Sequence, residues 1–197
     1  YLRLMHIGPI KNVLLLGGGD LLRKIALSVS KKNIEVKVIT APRHANEIIN
    51  GISLKEFLRK NKIEFIEIKK LTKKRITDFV LISENTFSLS LGAAWIFKND
   101  IIEKIFNGRL MNLHGSRLPQ NRGAGTFSWP ILMGNRFGFC QLHLINSEKI
   151  DCGQIVDEEE FLYPAICRIP IDYMNYYNSM NLNFINKFID KHSRHKS

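Results

Sequence analysis

The stretch Met111-Asn-Leu-His-Gly-Ser-Arg-Leu-Pro-Gln-Asn-Arg-Gly123 determines how the rest of this chain is interpreted. Its first residues continue a β-like run, so the alternating side chains of Asn112 and His114 point to the same side of a strand. A proline and two glycines then indicate a sharply turning, ordered loop. An amide and an imidazole at a strand end can polarise a carbonyl and move a proton. The stretch therefore predicts a site for acyl-group transfer.

Hydrophobic patterning around this stretch alternates between strand and helix periods. It predicts strands at residues 12–16, 34–40, 63–68, 78–83, 110–113, 139–145 and 154–161, and helices at 20–32, 53–61, 99–106, 126–133 and 170–189. Residues 84–95 are predicted to form a loop. This order favours an α/β fold: a doubly wound, mostly parallel Rossmann-like sheet with an antiparallel edge or hairpin near the C-terminal end. In such sheets ligands bind beyond the carboxyl ends of the strands, where Asn112 and His114 lie.

Length and composition are those of a soluble globular protein. The 197 residues fit one domain, 1–197, with a core at about 12–161, a C-terminal helix at about 170–190 and a basic tail. The longest apolar run near the start, Val13–Leu16, is far shorter than the roughly 20 residues that span a bilayer. Cysteines at 140, 152 and 167 have neither pairing motifs nor metal-ligand spacing. We therefore expect a cytoplasmic protein without a metal and without membrane attachment.

The net charge of +11 has two interpretations. Lysine-rich stretches such as 69–75 and the tail are typical of a solvated surface. The same charge would also attract an anionic ligand, such as a polyanionic cofactor, a phosphorylated substrate or RNA. Charge alone does not choose among these.

The glycines Gly17-Gly18-Gly19 follow the first predicted strand and precede a helix. They lack the G-x-G-x-x-G spacing of a dinucleotide site, and the strand ending at Thr40 does not deliver an acidic residue for a ribose. We expect a tight strand-to-helix turn. A phosphate at the helix N-terminus is the alternative, which Asp20 would partly oppose.

A later acid completes the predicted site. In Ile150-Asp-Cys-Gly-Gln-Ile155, Asp151 follows a predicted strand by a short loop and precedes a glycine turn. Taken singly, Asn112 could satisfy a turn, His114 could be a hydrogen-bonded core histidine, and Asp151 could stabilise a loop. Their combination with the loop that ends at Gly123 favours a catalytic site.

Here the chain resembles a known family. Residues 112–123 are similar to the NxHxSLLPxxRG signature of the folate-dependent formyltransferases, and residues 150–155 to their D-x-G-x-I loop. Ser90-Leu-Gly-Ala-Ala-Trp-Ile96 resembles their folate-binding loop, and the order of the blocks agrees. The resemblance, closest to sugar N-formyltransferases, covers about residues 12–161. Two features depart from the pattern: Arg117 replaces the usual leucine, and one extra residue separates His143 from Asp151.

The resemblance implies that 10-formyltetrahydrofolate is the donor and a primary amine the acceptor. Asn112 would donate a hydrogen bond to the oxyanion, and His114, held protonated by Asp151, would stabilise it and pass a proton to the departing nitrogen. Asp151 would accept the proton of the amine. The folate would contact mainly backbone groups, at residues for which we expect a cofactor role: Ser90, Leu91, Gly92, Ala94, Trp95 and Ile150. Trp95 could equally belong to the core.

The acceptor class is less constrained. Amino-sugar enzymes of the family often have a tryptophan soon after the Arg-Gly pair, and Ser128-Trp129 fits that pattern. We therefore expect a small-molecule amine, a sugar nucleotide, contacted by Arg117, Arg122 and Trp129. Arg122 could instead lock the loop. Methionyl-tRNA enzymes carry a second barrel domain, and only a helix and a tail follow Phe161, so a nucleic-acid acceptor is not expected. Glycinamide-ribonucleotide enzymes match the length but typically lack the Arg-Gly-Ala sequence.

Two other classes remain open. A hydrolase with the same three polar residues would release formate from the folate, and a catalytically idle module would only bind it. The last predicted helix has an aromatic side that could pack on the core or on a second subunit of a homodimer, formed by Tyr173, Tyr176, Tyr177, Phe184 and Phe188.

Overall fold

The computed structural model describes residues 8–123, 125 and 128–193. In chain order its elements are β1 (Asn12–Gly17), α1 (Gly19–Ser30), β2 (Glu35–Thr40), α2 (Pro42–Ala45), β3 (Ile48–Ile49), β4 (Ile52–Ser53), α3 (Leu54–Lys60), β5 (Glu64–Glu67), α4 (Lys73–Phe79), β6 (Thr86–Leu91), α5 (Asn99–Lys104), β7 (Leu110–His114), α6 (Ser128–Leu132), β8 (Phe137–Leu144), β9 (Ile155–Leu162) and α7 (Pro170–Ser193).

The main sheet has seven strands in the order β5-β2-β1-β6-β7-β8-β9. The strands from β5 to β7 pair in parallel, whereas β8 and β9 are antiparallel to their neighbours. Strands β3 and β4 form a separate small hairpin. The predicted α/β class, with a mostly parallel sheet and an antiparallel edge near the C-terminal end, is confirmed.

Helices cover both faces of this sheet. Along β1, Val13 and Leu15 join a core cluster with α1, α3 and α7, while Leu14 and Leu16 join a second cluster with α4 and α5. A parallel strand buried on both faces reads as a continuous apolar run, which is why β1 was readily predicted. The aromatic side of α7 packs on the first cluster, with Tyr173, Phe184 and Phe188 buried.

Two of the predicted elements are wrong. The strand predicted at residues 78–83 does not form, although residues 79–82 are apolar. Residues 78 and 79 belong to the end of α4, residues 80–83 are not in a strand, and Leu81 is 85% exposed. Strand β1 already pairs with β2 and β6, so the sheet leaves no neighbouring place for an additional strand there. Residues 84–95 are not a loop throughout, because β6 occupies Thr86–Leu91 in the middle of the sheet. The alternation of Phe and Leu with Ser in β6 has the two-residue period of a strand.

Helix ends follow local capping chemistry. The Ser53 side chain accepts from the Glu56 N–H, and the Glu56 carboxylate accepts from the Ser53 N–H at 2.8 Å, which forms a capping box at the start of α3. Pro170 begins α7 as predicted. The short elements α2, β3, β4 and α4 were not predicted. Residues 126 and 127 of the predicted helix 126–133, and the end of the basic tail, lie outside the described residues. Within the described ranges no helix combines the length and apolarity needed to cross a membrane.

Candidate active site

Strand β7 carries the first polar side chains of the site. Asn112 pairs with Ser90 of β6 on one side and with His143 of β8 on the other. His114 is the last residue of β7 and is 6% exposed. Since β6 and β7 are parallel, their carboxyl ends meet at one edge of the sheet, where the sequence predicted the ligand crevice.

The loop after β8 carries Asp151. Asp151 has a φ of +51°, a left-handed conformation that Asp tolerates better than most residues. A Cβ atom on Gly153 would lie 1.7 Å from the Leu144 carbonyl oxygen, so only glycine fits where this loop returns against the end of β8. The Leu144 N–H donates to the Gln154 carbonyl at 2.9 Å and closes the loop. Close backbone packing thus explains the D-x-G part of the motif.

The carboxylate of Asp151 lies among the other predicted catalytic side chains. Its Oδ2 is 3.5 Å from His114 Nδ1, and its Oδ1 is 3.5 Å from Asn112 Nδ2 and 3.3 Å from His143 Nε2. The Asn112 Nδ2 atom also lies 3.1 Å from His143 Nε2. The structure therefore brings together the amide, imidazole and carboxylate that the sequence placed in one site.

The loop at residues 115–123 holds the outer side of this group. His114 Nε2 lies 2.7 Å from the Asn121 carbonyl oxygen, and the Ser116 hydroxyl contacts both of these atoms at 2.8 and 3.0 Å. The Gly123 N–H donates to Asp151 Oδ2 at 2.9 Å. The loop therefore fixes both the imidazole ring and the carboxylate.

Burial alone would raise the pKa of Asp151. The His143 ring, the Gly123 N–H and positive charge on His114 act in the opposite direction and outweigh it, so the pKa of Asp151 lies below its ordinary value. The group is consequently a carboxylate at neutral pH. It can stabilise a neighbouring imidazolium and accept a hydrogen bond from an incoming amine.

A cleft of about 450 Å³ opens beside these residues. One wall consists of residues 92–97, and the other of residues 143–145 and 147–151. Asn112, Gly123, His143 and Asp151 line one part of it, whereas His114 lies outside the lining, behind Asp151. Mostly apolar walls with a few polar groups are typical of a small-molecule or cofactor site.

Most residues expected to bind the cofactor line this cleft: Ser90, Gly92, Ala94, Trp95 and Ile150. Trp95 also packs against the second core cluster, and its indole N–H donates to the Lys69 carbonyl at 3.0 Å. Leu91 does not line the cleft. Its side chain is buried in the first core cluster, because alternate residues of β6 face opposite sides of the sheet, and its carbonyl oxygen accepts from the Gly18 N–H. Cofactor contact by Leu91 stays a prediction.

The residues expected to bind the acceptor lie outside the cleft lining. Arg122 donates from Nε to the Asp151 carbonyl at 3.1 Å, so it locks the two loops together. Arg117 is exposed on the loop surface. Trp129 is 62% exposed, and its ring lies so close to Gly125 that a Cβ atom there would be 2.9 Å away. Contact of these residues with an acceptor stays a prediction.

Two residues outside the predicted catalytic set contribute to the site. His143 contacts both Asn112 and Asp151 and lines the cleft. Gln141, which is 1% exposed, accepts from the Leu118 N–H at 2.7 Å and donates to Glu158 at 2.7 Å. Pairing β7 with β8 in antiparallel register would have placed His143 opposite Asn112 and Gln141 opposite His114.

The glycine turn after β1 has a structural explanation. Gly17 has a φ of +130°, and a Cβ atom there would lie 2.0 Å from the Leu91 carbonyl oxygen. Asp20 pairs with Lys24 at 2.6 Å and accepts from Asn178 at 3.2 Å. Gly18 alone separates the end of β1 from the start of α1, which is the predicted tight strand-to-helix turn. Gly17 also allows the close approach of β1 to β6.

No group of three or more His, Cys, Asp or Glu side chains with metal-binding geometry occurs in the part of the chain that the structure describes. The cysteines 140, 152 and 167 are free.

Comparison with known proteins identifies the fold. No family model matches the chain. The bifunctional polymyxin resistance protein ArnA of Wigglesworthia glossinidia brevipalpis is 28% identical over 142 residues, which are 67% of this chain and 21% of ArnA. The chain thus spans about a fifth of this curated relative.

Solved structures of formyltransferases superimpose on most of the chain. The N-formyltransferase of Helicobacter canadensis, in complex with folinic acid and dTDP-3-aminofucose, has a TM-score of 0.65 at 22% identity, over 92% of this chain and 65% of its own. WlaRD, a sugar 3N-formyl transferase crystallised with dTDP and 5-N-formyl-THF, has a TM-score of 0.65 at 26% identity, over 94% and 64%.

Enzymes with other acceptors share the fold. Phosphoribosylglycinamide formyltransferase of Bacillus halodurans has a TM-score of 0.70 at 15% identity, over 92% of this chain and 94% of its own. A formyltetrahydrofolate deformylase of Pseudomonas putida has a TM-score of 0.68 at 15% identity, over 94% of this chain and 65% of its own. The predicted resemblance to folate-dependent formyltransferases is confirmed at the level of the fold.

Proposed function

We propose that this chain, which has the fold of the folate-dependent formyltransferases, transfers a formyl group from 10-formyltetrahydrofolate to the primary amine of a nucleotide-linked amino sugar. The observation that carries the proposal is the convergence of the Asn112, His114 and Asp151 side chains, of which Asn112 and Asp151 line the cleft. The sequence predicts a catalytic role for each of these side chains, and each lies within 3.5 Å of another member of the group.

The cleft is suited to a reduced folate. Its walls at residues 92–97 and 143–151 combine apolar surface with backbone groups, which can pair with the polar edge of a pterin ring. The donor supplies an activated formyl carbon on a nitrogen atom. Ser90, Gly92, Ala94, Trp95 and Ile150 are the residues that would hold it.

The polar residues can stabilise the charges of acyl transfer. Asn112 has an amide N–H that can donate to the oxygen of the formyl group as negative charge develops there. Asp151 is a carboxylate that can accept the proton of the attacking amine. Its Oδ2 atom also lies 3.5 Å from His114 Nδ1, where it can orient the imidazole ring.

Proton donation by His114 needs a change in the loop. His114 Nε2 bonds to the Asn121 carbonyl oxygen in this structure, and Nδ1 faces Asp151. Transfer of a proton from His114 to the departing folate nitrogen therefore requires release of the Asn121 contact. Electrostatic stabilisation by His114 does not require it.

The acceptor is the part of the proposal with the least direct support. The two sugar N-formyltransferases favour an amino sugar, whereas the other acceptors and the hydrolase occur on the same fold. The cytoplasmic location, the single-domain organisation and a homodimer stay predictions.

Incubation with formyl-folate alone separates the reaction classes. Release of formate would identify a hydrolase, whereas a transferase leaves the donor intact until an amine is added. A panel of amino-sugar nucleotides, glycinamide ribonucleotide and charged initiator tRNA then identifies the acceptor. We expect turnover with an amino-sugar nucleotide, and turnover only with another member of the panel would refute the sugar assignment.

A further inference from the structure

His143 is a buried cleft residue to which the proposed reaction assigns no role. It is 1% exposed and lies directly across β8 and β7 from Asn112. Its Nδ1 atom is 3.0 Å from the Leu144 carbonyl oxygen. Since a carbonyl oxygen only accepts hydrogen bonds, Nδ1 carries a hydrogen. In the neutral ring Nε2 therefore presents a lone pair.

No single protonation state of His143 lets Nε2 form a hydrogen bond with both of its polar neighbours. Asn112 Nδ2, a donor, lies at 3.1 Å, and Asp151 Oδ1, an acceptor, lies at 3.3 Å. A neutral ring accepts from Asn112 and leaves the carboxylate without a bond from Nε2. A protonated ring donates from Nε2 to Asp151, but this N–H then faces the N–H of the Asn112 amide, and two donors repel each other.

These two states require opposite orientations of the Asn112 amide. With neutral His143, one N–H of Asn112 donates to Nε2, and the other faces Asp151 Oδ1 at 3.5 Å. This second bond is long and therefore weak, so a developing oxyanion can replace it. With protonated His143, the amide oxygen turns toward Nε2, and both N–H groups turn away from Asp151.

We propose that His143 is a positioning residue: its ring, with hydrogen on Nδ1, accepts from Asn112 through Nε2 and so holds the N–H groups of Asn112 toward Asp151. The inference rests on the proposed function only for its effect on the rate. The charged or titratable groups that face the ring are Asp151 from the loop and His114 from β7, whose ring centroid is 6.3 Å away.

Two substitutions test this role. His143→Ala removes the acceptor, and we expect kcat to fall by about 10²-fold, as for loss of one oriented donor, with little change in KM for formyl-folate. In His143→Gln, the side-chain carbonyl oxygen can still accept from Asn112. We expect this variant to recover at least part of kcat.

Nuclear magnetic resonance tests the same geometry without activity. Nitrogen shifts should identify the His143 ring as the tautomer with hydrogen on Nδ1, and one side-chain N–H of Asn112 should show the scalar coupling expected across a hydrogen bond to Nε2. A wild-type protein that shows these shifts but no transfer would leave the positioning role intact and refute the proposed function.

Three results would overturn the positioning role. They are a His143 ring that carries its hydrogen on Nε2, a wild-type kcat in His143→Ala, and a loss of kcat in His143→Ala that His143→Gln does not relieve. The last would indicate that only the packing of the ring matters.

Discussion

Replacement of Asp151 by Asn removes one negative charge and little else. Asparagine has the same shape and also tolerates the left-handed φ of +51° at this position. The carboxylate lies 3.5 Å from His114 Nδ1, and both side chains are about nine-tenths buried. Unit charges about 4 Å apart interact by about 4 kcal/mol at an effective dielectric constant of about 20. Because about 1.36 kcal/mol changes a rate tenfold, Asp151→Asn should lower kcat roughly a thousandfold.

The assay is steady-state transfer to the accepted amine, with thermal unfolding measured in parallel. Glu148→Gln is the matched control, since it removes the same charge from the lining of the same cleft, where Glu148 pairs with the exposed Lys98 at 2.8 Å. The control should keep kcat within a few-fold, because an exposed pair contributes at most about 1 kcal/mol. A kcat of folded Asp151→Asn within tenfold of the wild type would refute the charge argument.

Other predictions concern the loop, the helix cap and the thiols. Gly153→Ala should lower stability by about 1–3 kcal/mol through overpacking and reduce turnover, measured by urea unfolding and kcat; unchanged values would contradict the close approach to β8. Ser53→Ala should cost about 1 kcal/mol in urea unfolding without changing kcat. Iodoacetamide near neutral pH should label the partly exposed Cys152 before Cys140, because burial raises the pKa of the Cys140 thiol to about 12; peptide mass mapping that finds equal labelling would contradict this. The pKa of Asp151 is lower in the folded protein than its ordinary value of 3.8, so the ionised carboxylate contributes fully to folding stability above pH 3.8. This contribution is lost as the pH falls further. In urea unfolding, the wild type should therefore lose stability relative to Asp151→Asn below pH 3.8.

The sequence predicts buried parallel strands well and the middle of the sheet less well. Strand β1 is a continuous apolar run, so its burial on both faces is evident. Strand β6 alternates Phe87, Leu89 and Leu91 with small polar residues, and these residues resemble a loop by composition although their period is that of a strand. The apolar run at residues 79–82 shows the opposite case, because it has the composition of a strand but is not part of the sheet. A strand forms only where a neighbouring strand is available for pairing, and local sequence does not encode this.

The site was predictable where a motif carries its geometry. Asn112 and His114 lie on one strand, and the turn at Gly153 accounts for the position of Asp151. The contribution of His143 depends on the register between β7 and β8. The burial of Leu91 depends on which face of β6 this residue occupies. Both are tertiary facts that follow only once the strands are paired.

The measurement that most directly tests the central claim is a single-turnover experiment with formyl-folate labelled at the formyl carbon, analysed by mass spectrometry of the acceptor. With the wild-type protein and an amino-sugar nucleotide, the label should appear on the sugar amine, and Asn112→Ala should reduce the rate by about 10²–10³-fold, the cost of losing one oxyanion donor. Label that appears only in free formate, or a rate in folded Asn112→Ala equal to that of the wild type, would contradict the account.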